Sequence, residues 1–177
     1  MTYLGTFGFE EVLKMSELNT PDTDITTSGE TGLHIAGNNG NIAVVGRLLQ
    51  VGADVNAQGG YHDNALYAAS AKGHDQIVQW LLEEGADVNT QGGYYGNALQ
   101  AASVRGHDQI VQRLLEKGAD VNAQGGYYGN ALQAASAWGH DGIVQRLIGR
   151  TISMILLTAN HPAHHHDICK LYSAQKP

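Results

Sequence analysis

The sequence predicts an all-α solenoid of stacked antiparallel helix pairs, and three observations carry that prediction. The block GGYYGNALQAAS stands at Gly92–Ser103 and again at Gly125–Ser136, with a looser copy, GGYHDNALYAAS, at Gly59–Ser70, so the chain repeats itself every 33 residues. Each block leads into apolar residues at helical spacing, and glycines punctuate these segments in phase. Two short helices and a turn cannot bury both of their apolar faces alone, whereas stacked copies cover one another.

Before the first clear unit, GFEEVLKMSELN (Gly8–Asn19) spaces Phe9, Val12, Leu13 and, less regularly, Leu18 as a helix would. It reads as half of a degraded repeat, which makes residues 1–24 an irregular N-terminal cap over the first unit. Aligned on Leu33, Leu66, Leu99 and Leu132, the units run about 25–57, 58–90, 91–123 and 124–150. In the second unit Ala65–Lys72 is Ala-rich and suits a short helix, with Gly73 as its stop. From Asp75 to Glu84, Ile77, Val78, Leu81 and Leu82 share one helical face, repeated as Ile110, Val111, Leu114 and Leu115, then as Ile143, Val144, Leu147 and Ile148. Gly85 and Gly118 end these helices where a left-handed backbone is needed. The Asn- and Gly-rich ADVNTQGGYYGN that follows suits a reversal of direction. The pairs Ala68–Ala69, Ala101–Ala102 and Ala134–Ala135 let neighbouring helices approach closely. After Leu147 the pattern fails, and RLIGRTISMILLTAN replaces the expected turn. Ile152, Ile155, Leu156 and Ala159 share one face of a helix over Thr151–Asn160, expected to lie against the last unit as a C-terminal cap. Residues 151–177 are thus a capping helix and a flexible tail, with little order expected after Pro162.

These linked motifs resemble the ankyrin-repeat family over Ile25–Gly149, most fully in the first unit as Thr31, Gly32, Leu33 and His34, then Gly40, Val44, Leu48, Leu49 and GADVN at Gly52–Asn56. The resemblance implies hairpin-like loops projecting from the helix pairs. It also implies a non-catalytic module that binds another protein through its concave face and loop edge. The GGYYGNALQAAS variant is similar to the ankyrin segments of fungal nucleotide-binding signalling proteins.

The chain departs from the family pattern in four ways. Gly32, Ala65, Ala98 and Ala131 stand where the family has proline, so the helix starts lose a preset backbone angle. Thr31 gives way to Asn64, Asn97 and Asn130, which keep the capping chemistry. His34 gives way to Tyr67, Gln100 and Gln133, so the hydrogen-bond ladder between loops that the resemblance implies is either rebuilt with other groups or weaker. Gly96 and Gly129, after a tyrosine pair, displace the usual loop glycine by one residue.

With 17 acidic and 10 basic residues the formal charge is −7, and no basic patch offsets it, so nucleic acid and anionic membrane surfaces are disfavoured as partners. Cys169 is the single cysteine, which excludes an intramolecular disulfide framework and fits a cytoplasmic or otherwise intracellular setting. TISMILLTAN is half a membrane span, and the N-terminus lacks the basic-then-apolar order of a secretory signal. No phosphate-binding loop, HExxH helix or nucleophile elbow is present, nor is there an obvious base for Cys169. No catalytic residue, cofactor or metal is therefore expected. Asp54, Asp87 and Asp120 belong to the GADVN turn and read as structural.

The candidate partner-binding residues are the loop tyrosines Tyr61, Tyr94, Tyr95, Tyr127 and Tyr128, which recur at the repeat period and would form rows along one edge. Tyrosine suits an interface because its ring is large, its tip is polar and it has few rotamers to lose. The alternative is that one of each pair packs against the next loop. The resemblance places the variable, exposed positions at the end of the first helix, Ala71 and Lys72, Val104 and Arg105, Ala137 and Trp138, with Gln58, Gln91 and Gln124 on the loops. Trp138 is then either an interface anchor or covered by Thr151–Asn160. His74, His107 and His140 fall about one helix spacing, roughly 10 Å, apart, too far to share a metal. They read as structural. His161, His164, His165, His166 and Cys169 match no closed metal-site spacing, so adventitious binding by a mobile tail is expected of them. The expected function is a protein–protein interaction scaffold, monomeric in the favoured reading. The alternatives are a homodimer through Trp138 and the ISMILL segment, and a metal-dependent or enzymatic module.

Overall fold

Local capping chemistry decides where each first helix begins and ends. The computed structural model describes residues 30–61 and 63–159, with side chains through residue 156; the expected N-terminal cap and the tail after Ala159 lie outside the described residues. The first helices are α1 (Gly32–Asn39), α3 (Ala65–Lys72), α5 (Ala98–Arg105) and α7 (Ala131–Ala137), and the second helices are α2 (Ile42–Gln50), α4 (Asp75–Glu83), α6 (Asp108–Glu116) and α8 (Asp141–Ala159). Asn64, Asn97 and Asn130 each accept a hydrogen bond from the third helical backbone N–H, at 2.7, 2.9 and 2.8 Å, as Thr31 does for α1. Asparagine thus replaces threonine without loss of the cap. Gly40, Gly73 and Gly106 close α1, α3 and α5 in the left-handed region, at φ of 73°, 83° and 76°.

The first helices of neighbouring units pack directly, α1 on α3, α3 on α5 and α5 on α7. Ala68, Ala69, Ala101, Ala102, Ala134 and Ala135 are fully buried at these contacts, where a larger side chain would push the helices apart. The second helices add the leucine layer: Leu48, Leu81, Leu114 and Leu147 are buried at one register position of four successive units. The hydrophobic core is therefore one continuous column through the stack.

Polar ties lock the units in phase. The Asn56 and Asn89 amides donate to the carbonyls of Gly85 and Gly118 and accept from the N–H groups of Asp87 and Asp120, so each GADVN turn clamps the next. The carboxylates of Asp54, Asp87 and Asp120 accept from the N–H two residues on, at 2.9 Å in each turn, which is a structural role. Arg113 reaches back to Asp75 at 2.8 Å and Arg146 to Asp108 at 2.7 Å. The hydrogen bond to Asp75 holds the Arg113 guanidinium above its ordinary pKa. Trp80 occupies the arginine position one unit earlier and lies over Gly46, where a Cβ would collide with its ring. The rings of His74, His107 and His140 cover the stop glycines Gly40, Gly73 and Gly106 of the preceding unit, which gives this row its structural place.

The C-terminal end departs from expectation. Thr151–Ala159 is not a separate helix folded back on the last unit; it is the second half of α8, which runs unbroken for 19 residues. The reason is local. Gly52, Gly85 and Gly118 stop the earlier second helices at φ of 91°, 90° and 91°, and the equivalent position holds Thr151, whose branched Cβ disfavours that conformation. Without the stop the helix continues, and Ile152, Met154, Ile155 and Leu156 remain exposed.

Candidate partner-binding edge

Each loop closes on itself before it meets its neighbour. Gly59, Gly92 and Gly125 donate to the carbonyls of Asp63, Gly96 and Gly129, each at 2.7 Å. The accepting residue has φ of 63°, 105° and 82° in turn, so the displaced loop glycine sits where a left-handed backbone is required. Among the described residues Asp63 is the one non-glycine with positive φ.

Three different side chains then tie each loop to the first helix of the unit before it. Nδ1 of His34 accepts from the Thr31 N–H, which leaves the ring proton on Nε2 to donate to the Asp63 carbonyl at 2.9 Å. One unit on, the Tyr67 hydroxyl accepts from the Tyr95 N–H at 3.0 Å, and burial raises the pKa of this phenol. One unit further, the Gln100 amide donates to the carbonyls of Ala123, Gly125 and Gly129. The ladder is thus rebuilt with three chemistries at one register position. Gln133, the fourth member, is exposed.

On this frame the tyrosines form two rows. Tyr94 stacks on Tyr127 with ring centroids 5.2 Å apart, and Tyr95 stacks on Tyr128 at 6.4 Å and on Tyr67 at 6.5 Å. The rows meet edge to face within each loop, Tyr94 on Tyr95 and Tyr127 on Tyr128. The outer row is open to solvent, with Tyr61, Tyr94 and Tyr127 exposed by 71%, 50% and 67%. Tyr95 and Tyr128, by contrast, are half-buried in the stack. One tyrosine of each pair therefore builds the edge while the other faces outward.

Lys72, Arg105 and Trp138 stand at one register position, the C-terminal ends of the first helices, and all three are exposed. The Arg105 guanidinium lies 5.6 Å from the centre of the Tyr95 ring, and the Trp138 indole N–H donates to the Tyr128 hydroxyl at 2.9 Å. Arg105 and Trp138 thus each lean on the inner tyrosine of their own loop, ten residues earlier. Trp138 keeps 58% of its surface exposed and is not sheathed by the end of α8. Sequence reasoning missed Tyr67 as the buried foot of the inner row; its place at the His34 register was the available signal. Among the described residues no three His, Cys, Asp or Glu side chains converge on a possible metal position, and no helix is long and apolar enough to cross a membrane. The histidine-rich tail lies outside the described residues.

Comparison with known proteins agrees with this geometry. A family model for ankyrin repeats in three copies matches residues 6–92, and one for ankyrin repeats in many copies matches residues 98–148. No curated protein matches the chain. Taken with the helix pairs stacked in 33-residue register, these matches establish that the chain belongs to the ankyrin-repeat family.

Proposed function

We propose that the chain is a non-enzymatic scaffold that holds a partner protein, through the concave face and loop edge, against the outer tyrosines and the helix-end row Lys72, Arg105 and Trp138. Ankyrin repeats generally serve as protein–protein interaction modules, which supports the class of function. The observation that carries the specific reading is the division of labour among the tyrosines. Tyr95 and Tyr128 are held by packing and by Arg105 and Trp138, so the outward rings of Tyr94 and Tyr127 are presented from a rigid base. Rigid aromatic anchors lose little entropy on binding and dominate interface energetics. The GGYYGNALQAAS variant supports kinship with the ankyrin segments of fungal nucleotide-binding signalling proteins, and hence an intracellular partner. The test is affinity capture from the source organism, followed by titration of the captured protein with wild type and a Tyr94→Ala/Tyr127→Ala variant. Affinity should fall at least tenfold in a variant that keeps its helical signal; equal affinity removes the tyrosines from the interface.

A second reading, self-association, rests on α8. Ile148, Ile152 and Ile155 follow helical spacing and are 37%, 51% and 58% exposed, an apolar stripe suited to a second copy across a two-fold axis. Trp138 is engaged with Tyr128, so this reading rests on α8 alone. Sedimentation equilibrium across a hundredfold concentration range decides it. A dimer abolished by Ile152→Asp with Ile155→Asp supports it, and a constant monomer mass rejects it.

A further inference from the structure

Among the described residues two arginines of the second helices pair with carboxylates across the units, whereas the cations at the ends of the first helices do not. Arg113 and Arg146, on the second helices, each meet a carboxylate of the preceding unit at 2.8 and 2.7 Å. Lys72 and Arg105, on the first helices, meet none among the described residues, although the chain carries 17 carboxylates against 10 basic side chains. The carboxylate of the second loop, Asp63, lies against Gly92 and pairs with neither. Apart from Asp63, the carboxylates of the last three units stand on the second helices and the turns after them, as Asp75, Glu83, Asp87 and their repeats. Next along the Lys72–Arg105 row comes Trp138, with its indole fixed by Tyr128 and most of its surface open.

We propose that this row reads an extended acidic peptide segment of the partner, with carboxylates at positions i and i+3 and an apolar or aromatic side chain at i+6, in either chain direction. The proposal rests on the partner-binding reading above and names what that edge selects. The spacing follows from the fold. Packed helices lie about 8–10 Å apart, and a chain extended as polyproline II, with three residues per turn and about 3.1 Å rise, covers that distance in three residues and returns every third side chain to the same face. Successive helix ends therefore meet every third side chain of a peptide laid across the units in that conformation. Lys72 and Arg105 supply charge-assisted hydrogen bonds to the two carboxylates, and Arg105, steadied by the Tyr95 ring, is already oriented. Trp138 supplies the platform for the third contact. Arg47 and Lys117 also meet no carboxylate among the described residues, but Lys72 and Arg105 are the pair that stands in one row with Trp138; such a row on a molecule of net charge −7 suits a partner with a few carboxylates, whereas a polyphosphate backbone would meet repulsion from the rest of the surface.

The test is selection of a phage-displayed library of random dodecapeptides on the immobilised full chain, followed by titration of the enriched peptides. Enriched sequences should carry acidic residues three apart followed or preceded at the same interval by an apolar residue. Lys72→Gln and Arg105→Gln should each weaken binding about fivefold or more, and raising salt from 50 to 300 mM should weaken it further. Peptides that lack the acidic pair, yet lose affinity in the Tyr94→Ala/Tyr127→Ala variant, overturn the acidic register and leave the partner-binding reading standing. Peptides that lack the pair and bind all these variants equally overturn both. A single-stranded dodecanucleotide that binds more tightly than any peptide, and is lost in Arg105→Gln, overturns the choice of a peptide.

Discussion

Gln100 and Gln133 share a register position and a capping asparagine, yet they carry different loads. The Gln100 amide donates to three carbonyls of the following loop, two of them at 3.0 and 3.1 Å, whereas Gln133 faces solvent. Gln100→Ala removes the donors and leaves those carbonyls without them inside the stack, a cost of about 2–3 kcal/mol. Gln133→Ala should change stability by less than about 0.5 kcal/mol, as exposed substitutions do. Urea denaturation of the two variants measures both, and equal effects would mean that Gln100 does not tie the loops. Ser70 and Ser103 pose the opposite case, because their hydroxyls are fully buried with no hydrogen-bond partner. Nothing in the structure explains why serine stands there. Ser103→Ala removes an unsatisfied group at little cost in volume and should raise stability by about 1 kcal/mol in the same titration.

At the level of the element, the turns before α4, α6 and α8 are built on a histidine that covers the preceding unit's stop glycine. Burial pushes the His107 imidazole below its usual pKa, more than the backbone hydrogen bond to Ala71 raises it, and nearby Arg105 acts in the same direction as burial. The folded state thus takes up a proton less readily than the unfolded chain, whose histidines titrate near about 6.5. The resulting stability is fully present above that pKa and is lost as pH falls through it toward the lowered folded value. Wild type should therefore lose stability between pH 7 and 5 more steeply than His107→Gln; superimposable pH profiles would dismiss His107 as the titrating group. Local chemistry of this kind was legible in advance. Asn64, Asn97 and Asn130 declare helix starts and Gly40, Gly73 and Gly106 declare stops, because each acts within a few residues of itself, and the paired alanines declare close packing because small size in phase with the repeat needs no further geometry to be read. The roles of Tyr67 and Gln100 were hidden because their partners stand 28 and 29 residues away, where one sequence offers spacing and no geometry. The run-on of α8 was hidden for another reason, since it follows from a glycine missing at Thr151.

For the molecule as a whole, stability in a stack passes between neighbours, so the last unit should report what covers it. Leu82 and Leu115 are 8% and 5% exposed beneath the following unit, and Ile148, at their register, is 37% exposed. The same change appears at Val144, half-buried where Val45, Val78 and Val111 are fully buried. Helices with fewer buried contacts open at lower free energy than the core, and in a nearest-neighbour stack the deficit falls on the uncovered end. Hydrogen exchange should therefore rank the elements. Amides of α3 to α6 should exchange only with global unfolding, those of α7 and the first half of α8 sooner, and those of 151–159 soonest of all. The ranking also separates a bare end from an occupied one. Protection in 151–159 that rises with protein concentration would mean that a second copy lies on Ile152 and Ile155, and protection equal to α6 at every concentration would mean that the chain covers its own end.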